Sequence, residues 1–286
     1  GASLLPGATC TFSVTVVTPS EAEPGDYLNV TEDVESSGIV VASAATATLT
    51  IEDGCSVQDS FDDGVIDPAW TFVGIGNANQ LALAEEDGVM KLTADGATAF
   101  FGADNAGFLY REFTGDFRME VTIDGNPMTT GGQYRKAGLM MRASLDKWDI
   151  RLIAQLVPFW ENTDEVHLQF VARESFGTPG RLPVARDVIG GPRVVRLAIE
   201  RVGQVVAVEY SIDDGVTWIR PTTGLGGAIV LDQLPETVLI GMDMVSNNIS
   251  VTSTAHFDDF LICAPNEQPP GLPDPTAPVS GRGLLP

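Results

Sequence analysis

Two acid-rich segments contain the side chains that hydrolysis of a glycan would use. Enzymes that cleave glycosidic bonds employ two carboxyl groups, one as the acid and one as the nucleophile or base. The candidates are Glu85, Glu86 and Asp87 in LAEEDGVM, and Glu161, Asp164 and Glu165 in FWENTDEV. Neither segment reads as a strand with paired acids on one face, and EEDG is typical of a hairpin turn. We therefore expect a protein without catalytic activity.

A second motif, SIDDGVTW, fits the Asp-box pattern S-x-D-x-G-x-T-W, whose positions are Ser211, Asp213, Gly215 and Trp218. We expect a hairpin turn in which Asp213 and Asp214 accept hydrogen bonds from turn amides and Gly215 takes a positive φ. The ring of Trp218 would pack under the hairpin. The motif resembles the Asp box of sialidase propellers, which repeat it and add an arginine cluster and a tyrosine nucleophile. Because the box occurs once and those companions have no visible pattern, a sialidase propeller is excluded.

Strand patterns dominate the rest of the chain. Apolar and polar residues alternate in many short runs, among them FRMEVTID, KAGLMMRAS, WDIRLIAQL, VHLQFVARE, QVVAVEYS, TVLIGMDMVS and AHFDDFLIC. Asp-Gly and Gly-Gly pairs separate many of these runs, as hairpin connections require. The sequence therefore predicts an all-β fold, an antiparallel β-sandwich, without a helix longer than two turns.

The charge of the chain narrows the choice of partners. The 286 residues include 39 acidic and 16 basic side chains, which give a formal net charge of −23. Nucleic acids require clustered Lys and Arg, so they are excluded as partners, whereas divalent cations suit clustered carboxylates. No apolar run approaches the roughly 18 residues of a membrane span.

The first 53 residues differ in pattern from the rest of the chain. They contain LLPGATCTFSV, then PGDYLNV, and finally ATATLTI. These motifs resemble the second half of the Ig-like (DUF11-type) repeats of bacterial surface proteins. We therefore expect a partial Ig-like segment over residues 1–53, whose missing strands and free Cys10 suggest pairing with a neighbouring subunit. The last residues, 265–286, are rich in Pro and Gly and predict an extended tail.

The middle of the chain, residues 54–264, carries a second resemblance. Its motifs appear in the order SFDDGVIDPAW, GDFRMEVTI, KAGLMMRAS, LAIERVGQVVAVEYSIDDGVTW, VLIGMDMVS and AHFDDFLI. This series is similar to the concanavalin A-like lectin/glucanase superfamily, near its DUF1349-like bacterial extracellular modules. The resemblance implies a jelly roll of two curved antiparallel sheets, with a concave face that often binds sugars.

The same resemblance implies a structural Ca²⁺ ion between the first and last strands. The candidate ligands are Asp59, Asp62, Asp63, Asp258 and Asp259. Hard oxygen ligands from two distant segments would staple the ends of the domain together. The alternative is that these acids cap turns and face solvent.

Neighbouring first and last strands of a jelly roll also make a disulfide between Cys55 and Cys263 plausible. Such a bond would close a long loop and indicate an oxidising, extracellular location. Cys10 then has no partner within the chain.

Carbohydrate recognition would require aromatic rings beside polar side chains. The candidates are Trp148 and Trp160, on either side of the strand in WDIRLIAQLVPFW, together with Tyr134 and Arg135 after a Gly-Gly loop. Core packing is the alternative for both tryptophans. We interpret Arg142 as structural.

The sequence thus favours a non-catalytic, extracellular or cell-surface protein that binds carbohydrate or mediates adhesion, with glycans as its partners. The alternative is a structural subunit of an extracellular filament or sheath, with neighbouring copies of the same protein as partners.

Overall fold

The computed structural model describes residues 25–30, 34–36, 39–42, 46–51, 55–97, 102–159, 166–191, 193–221 and 227–265. The predicted all-β antiparallel sandwich is confirmed, since strands, turns and loops account for the described residues. Within them, no helix is long and apolar enough to cross a membrane.

Nineteen strands are described. In chain order they are β1 (Gly25–Val30), β2 (Val34–Ser36), β3 (Ile39–Ala42), β4 (Thr46–Ile51), β5 (Cys55–Asp59), β6 (Thr71–Ile75), β7 (Leu81–Glu86), β8 (Val89–Gly96), β9 (Ala106–Thr114), β10 (Phe117–Asp124), β11 (Lys136–Arg142), β12 (Arg151–Val157), β13 (His167–Arg173), β14 (Arg181–Val188), β15 (Val194–Val202), β16 (Val205–Ser211), β17 (Ala228–Val230), β18 (Thr237–Val245) and β19 (Asn248–Cys263).

The chain divides into two compact units, Gly1–Gly54 and Cys55–Pro286. In the first unit β1 pairs with β4, and β2 pairs with β3, both antiparallel. Cys10 and the tail after Pro265 lie outside the described residues. The filament interpretation, which depends on them, therefore stays a prediction.

The second unit is a sandwich of two antiparallel sheets. One sheet has eight strands, in the order β17-β16-β15-β10-β19-β8-β7, with β5 added on β19. The other has seven strands, in the order β14-β13-β12-β11-β18-β9-β6. The 16-residue β19 pairs with β10, β8 and β5, so it joins the two halves of the eight-stranded sheet.

The inner faces of the two sheets form the main core. Alternate residues of each strand point inward, as the two-residue period of a strand requires. Members of this core come from both sheets and are 0% exposed, for example Met119, Val121, Leu152, Phe170 and Phe257.

The seven-stranded sheet has a second buried face, which points away from the eight-stranded sheet and is called the outer face below. Every residue of β11, β12 and β13 is buried, so these strands are covered on both sides. A smaller apolar cluster lies on the outer face and includes Phe108, Met140, Ile153, Val171 and Val245. Buried polar residues share this face, and they form the candidate site described below.

The predicted disulfide between Cys55 and Cys263 is confirmed. Cys55 is opposite Cys263 in the pairing of β5 with β19, so the bond joins the first and last strands of the second unit. It spans 208 residues of sequence, and a loop of this length greatly restricts the unfolded chain.

Replacing both cysteines by Ser in the Cys55→Ser/Cys263→Ser variant should lower the free energy of unfolding by about 2–4 kcal/mol, because the long loop is no longer closed. Urea unfolding under oxidising conditions measures the difference. Under reductant the parent protein should match the variant, and an unchanged midpoint in the variant would contradict a stabilising role for the bond.

Candidate functional site

Three arginines lie side by side on the outer face of the seven-stranded sheet. Arg142 on β11 is opposite Arg151 on β12, and Arg151 is opposite Arg173 on β13. Like charges directly opposite one another destabilise a sheet. The row therefore requires an anion within reach, and Asp104, in the loop before β9, provides it.

The carboxylate of Asp104 contacts all three guanidinium groups. Arg151 Nε donates to Oδ1 at 2.8 Å, Arg173 Nη1 to Oδ2 at 2.9 Å, and Arg142 Nη1 to Oδ2 at 3.2 Å. All four side chains are 0% exposed. Burial acts to raise the pKa of Asp104, but Arg151, Arg173 and Arg142 together hold that pKa below its ordinary value. Asp104 is therefore ionised at neutral pH; these four residues are called the arginine cluster below.

The arginine cluster also fixes the positions of three loops, residues 102–105, 143–150 and 174–180. Arg142 and Arg173 donate to backbone carbonyl oxygens in all three loops. The accepting carbonyls belong to Gly102, Ser144, Asp146, Lys147, Asp149 and Thr178. Loops held by buried, charge-assisted bonds are well placed to present a binding surface.

An open cleft lies at the β13–β14 loop. Its volume is about 410 Å³, and its lining comprises Glu174, Ser175, Thr178, Pro179 and Gly180. The lining follows Arg173 directly in sequence, so the arginine cluster positions it. Carboxyl and hydroxyl groups in a cavity of this size are suited to a small polar ligand.

Two aromatic residues, Phe176 and Trp148, are near the cleft loop but are not among the residues that line the cleft. Phe176 is in the same loop and 63% exposed. Trp148, a predicted ligand residue, is half-buried; its carbonyl oxygen accepts a hydrogen bond from Gly177 N at 3.0 Å. The guanidinium of Arg173 lies 5.6 Å from the centre of the Trp148 ring. The strand β12 begins at Arg151, so Trp148 lies in the loop before it.

The other predicted ligand residues do not join Trp148. Tyr134 and Arg135 precede β11 while Trp148 follows it, and a seven-residue strand separates its two ends by about 20 Å. Arg135 is buried, donates to the carbonyl oxygens of Met128 and Gly132, and stacks on a phenylalanine ring. Trp160, together with Glu161, Asp164 and Glu165, lies outside the described residues.

The aspartates before β6 are largely engaged in local bonds. Asp59 accepts from Phe61 N at 3.1 Å and from Trp70 Nε1 at 3.2 Å. Asp63 accepts from Val65 N at 2.9 Å, which is a turn-capping bond. This observation agrees with the interpretation of these acids as turn caps.

Glu85, assigned to a turn by the sequence, lies beside these aspartates. It is 8% exposed, and none of the described groups donates a hydrogen bond to its Oε2 atom. Burial, Asp63 and Asp59 raise the pKa of Glu85. Its neighbours in the EEDG segment form the predicted β7–β8 hairpin, in which Asp87 and Gly88 both take positive φ.

Asp258 and Asp259 lie on β19. Burial raises the pKa of Asp258, and the charges of Asp259 and Asp62 raise it further. Within the described residues, however, no three His, Cys, Asp or Glu side chains are arranged to hold a metal ion. The five predicted calcium ligands thus include close carboxylates but do not form one ready coordination shell.

The Asp box forms the predicted hairpin turn. Asp213 Oδ1 accepts from Thr217 N and from Ser211 Oγ, at 2.8 and 2.7 Å. Gly215 has a φ of 82°, as expected, and Asp214 also adopts a positive φ, of 60°. Trp218 is half-buried and lies over Arg118 of β10, 4.5 Å from ring centre to guanidinium. The box thus attaches its hairpin to the eight-stranded sheet.

A row of buried polar side chains that the sequence pattern did not predict crosses the outer face. Gln169 on β13 is opposite Gln155 on β12, which is opposite Gly138 on β11, which is opposite Asp243 on β18. The three polar residues are at most 2% exposed, and Gln155 Nε2 donates to Asp243 Oδ2. Among the described groups, none bonds to Gln155 Oε1, Gln169 Oε1 or Asp243 Oδ1. The sequence signals this row only by placing one polar residue among the apolar residues on the same face of each strand.

Replacing the buried acid in Asp104→Asn should lower the free energy of unfolding at neutral pH by about 3–5 kcal/mol, because three buried guanidinium groups lose their counter-ion. The folded pKa of Asp104 is lowered, so its stabilisation is complete above the unfolded pKa and is lost as pH falls through the folded value. Denaturant titrations across the acid range measure both effects.

The control for this experiment is Asp67→Asn, which removes the carboxylate of a partly exposed ion pair with Arg111 at 3.8 Å. It should change stability by less than about 1 kcal/mol. If the Asp104→Asn variant behaved like this control, the arginine cluster would not have the anchoring role described.

Comparisons with known proteins concern the fold. No family model matches this chain, and no curated protein does. Among solved structures, a functionally unknown protein from Saccharomyces cerevisiae is 19% identical, with a TM-score of 0.50, over 70% of this chain and 98% of that one. The GH43B protein of a Bacteroides ovatus xyloglucan locus is 16% identical, with a TM-score of 0.53, over 73% of this chain and 39% of that one. The GH43 protein BlXynB from Bacillus licheniformis is 17% identical, with a TM-score of 0.52, over 79% of this chain and 42% of that one. At these identities the chain shares their β-sandwich fold.

Proposed function

We propose that this protein is a carbohydrate-binding module whose ligand occupies the cleft at the β13–β14 loop. The observation that supports this function is an open cleft of about 410 Å³, lined by Glu174, Ser175 and Thr178, with Phe176 exposed in the same loop. Sugar rings present hydroxyl groups at their edges and apolar C–H groups on their faces. Carboxyl and hydroxyl groups beside an aromatic ring match both.

The arginine cluster gives such a site its rigidity. Arg173 connects the cleft loop to loops 102–105 and 143–150, and the latter holds Trp148. A ligand that binds a pre-formed loop loses less free energy to ordering than one that binds a mobile loop. Trp148, which is half-buried, would therefore contact a sugar from a fixed position.

Binding without catalysis is part of the proposal. Hydrolysis of a glycosidic bond employs two carboxyl groups across the bond. Among the described residues that line the cleft, Glu174 is the one carboxylate. A single acid orients a sugar through its hydroxyl groups but does not supply both roles.

An extracellular location and the finer family assignment also belong to this proposal. The Cys55–Cys263 disulfide supports an oxidising compartment. The motif order from SFDDG to AHFDDF supports a DUF1349-like module, and the motifs of residues 4–51 support a partial Ig-like repeat.

Glycan-array binding followed by calorimetry with the best ligand tests the site. Phe176→Ala and Trp148→Ala should each weaken binding about tenfold, which corresponds to about 1.4 kcal/mol, because an aromatic contact is lost. The control is Val216→Ala, which removes an exposed apolar side chain (84%) on the Asp-box hairpin and should leave affinity unchanged. Absence of binding to any glycan, or binding indifferent to both aromatic changes, would refute the cleft as a sugar site.

We further propose that calcium binds the crowded carboxylates near the start of the domain, with Glu85 and Asp63 as the principal ligands. No group in the described part of the chain bonds to the buried Oε2 of Glu85, and the pKa of its carboxyl is raised; both observations support a cation there. Hard carboxylate oxygens are the ligands that Ca²⁺ prefers.

Removing calcium with EGTA should lower the melting temperature by several degrees, because the ion stabilises the folded state that binds it. Glu85→Gln should abolish this response, whereas Glu86→Gln, which affects an exposed ion pair with Lys91, should retain it. A melt of the parent protein that is identical with and without EGTA would exclude the ion.

A further inference from the structure

A lysine and an aspartate lie next to each other on the buried outer face, beyond the cleft and the arginine cluster. Gly138 on β11 is directly opposite Asp243 on β18, and Lys136 is two residues before Gly138 on the same face. Lys136 and Asp243 are thus diagonal neighbours on adjacent strands. Diagonal positions are about 7–8 Å apart, within reach of a long side chain. Lys136 is 3% exposed and Asp243 is 0% exposed.

The space between them is shaped by Gly138. A Cβ atom at this position would lie 2.7 Å from the Cα atom of Gln155, so a side chain cannot be accommodated. The missing side chain lets the Gln155 amide reach across β11 and donate to Asp243 Oδ2. No described group bonds to the other oxygen, Oδ1. The Asp243 carboxyl is therefore polarised on one side and open on the other.

Burial brings both groups toward their uncharged forms. It raises the pKa of Asp243 to about 7, despite the lowering effects of Gln155, Arg151 and Lys136. It lowers the pKa of Lys136 to about 8, despite the opposing charge of Asp243. Near neutral pH a substantial fraction of Asp243 is a carboxylic acid and some of Lys136 is a neutral amine. A neutral amine is a nucleophile, and a protonated carboxyl is the form that it can attack.

We propose that Lys136 and Asp243 form an intramolecular amide bond. The lone pair of Nζ attacks Cγ of the protonated carboxyl, and the Gln155 amide stabilises the negative charge that develops on Oδ2. Nζ then loses a proton to the Oδ1 hydroxyl, the bond from Cγ to Oδ1 breaks, and one water molecule leaves. The new Nζ–Cγ amide replaces the lost bond, so no oxidant, reductant or cofactor takes part. The buried, apolar surroundings of Ile153, Val245 and Phe108 favour the products because water is excluded.

This bond would provide the seven-stranded sheet with its own covalent link. The disulfide joins β5 to β19 in the eight-stranded sheet, whereas the amide joins β11 to β18 at the centre of the other sheet. The two ionisable groups become one neutral amide when the water leaves, so neither Lys136 nor Asp243 can be a buried ion after the reaction. Each sheet of the sandwich would then be cross-linked by one bond that withstands extraction and denaturation.

The experiment is intact-mass spectrometry of the parent protein after denaturation and full reduction of its cysteines. We expect a mass lower than that of the sequence by one water, and a branched proteolytic peptide that joins Lys136 to Asp243. Lys136→Arg and Asp243→Ala should each have the full mass of their own sequences. Gln155→Leu should form the bond more slowly, which distinguishes a positioning role from a packing role.

A surface pair supplies the matched control. Lys91 Nζ lies 2.6 Å from Asp87 Oδ2, so these two groups are close enough to react. Asp87 is 81% exposed, however, and both groups keep their charges. Lys91→Arg should therefore retain the one-water deficit. A parent protein of full sequence mass would overturn the proposal. So would a water loss that tandem spectra trace to an Asp-Gly succinimide, since that loss would persist in Lys136→Arg.

Discussion

The second unit depends on one carboxylate, Asp104, which balances three guanidinium groups in a place that water does not reach. The three arginines occupy directly opposite positions at one end of β11, β12 and β13, so without this acid their like charges would repel one another. One negative charge does not neutralise three positive ones. The remaining positive charge is stabilised by backbone carbonyl groups of three loops, whose dipoles place partial negative charges on the oxygens that accept the arginine bonds. The buried arginines thus hold the three loops in place through these bonds, and one of those loops forms the cleft.

Polar residues on the outward faces of the two sheets differ in their exposure to solvent. On the eight-stranded sheet, Arg118 pairs with Glu120 and Glu209 at 2.6 and 2.8 Å, and both glutamates remain partly exposed. On the seven-stranded sheet, polar side chains lie among fully buried apolar ones, so solvent cannot screen or hydrate them. There each group must find a bonding partner, change its protonation state or react. This contrast explains why the unusual chemistry of the molecule is concentrated on one face.

Local patterns in the sequence were sufficient to predict the all-β sandwich and the two hairpin turns at Asp87–Gly88 and in the Asp box, whereas the disulfide followed from the jelly roll that the family resemblance implied. Each of these depends on neighbours in sequence or on the proximity of first and last strands. The prediction missed β9, because AGFLYREFT is apolar on both of its faces at its start and has no period of two there. It also missed Asp104 and the Gln155–Asp243 row, because their meaning comes from strand register between segments that are far apart in sequence. A lone Asp or Gln in an apolar context carries no local sign of its partner.

The position of β19 has a consequence for how the chain acquires its structure. This strand is the last that the structure describes in the second unit, yet it lies between β10 and β8 and also pairs with β5. Until it is synthesised, β17-β16-β15-β10 and β8-β7 are two separate parts with unsatisfied edges, and β5 has no pairing strand among those described. Pairings over such long sequence separations form slowly, and a chain that waits for its final strand stays open to chaperones and to proteases. Cooperative folding of this domain therefore requires that β19 has been synthesised, and a chain truncated before β19 would present bare strand edges to its neighbours.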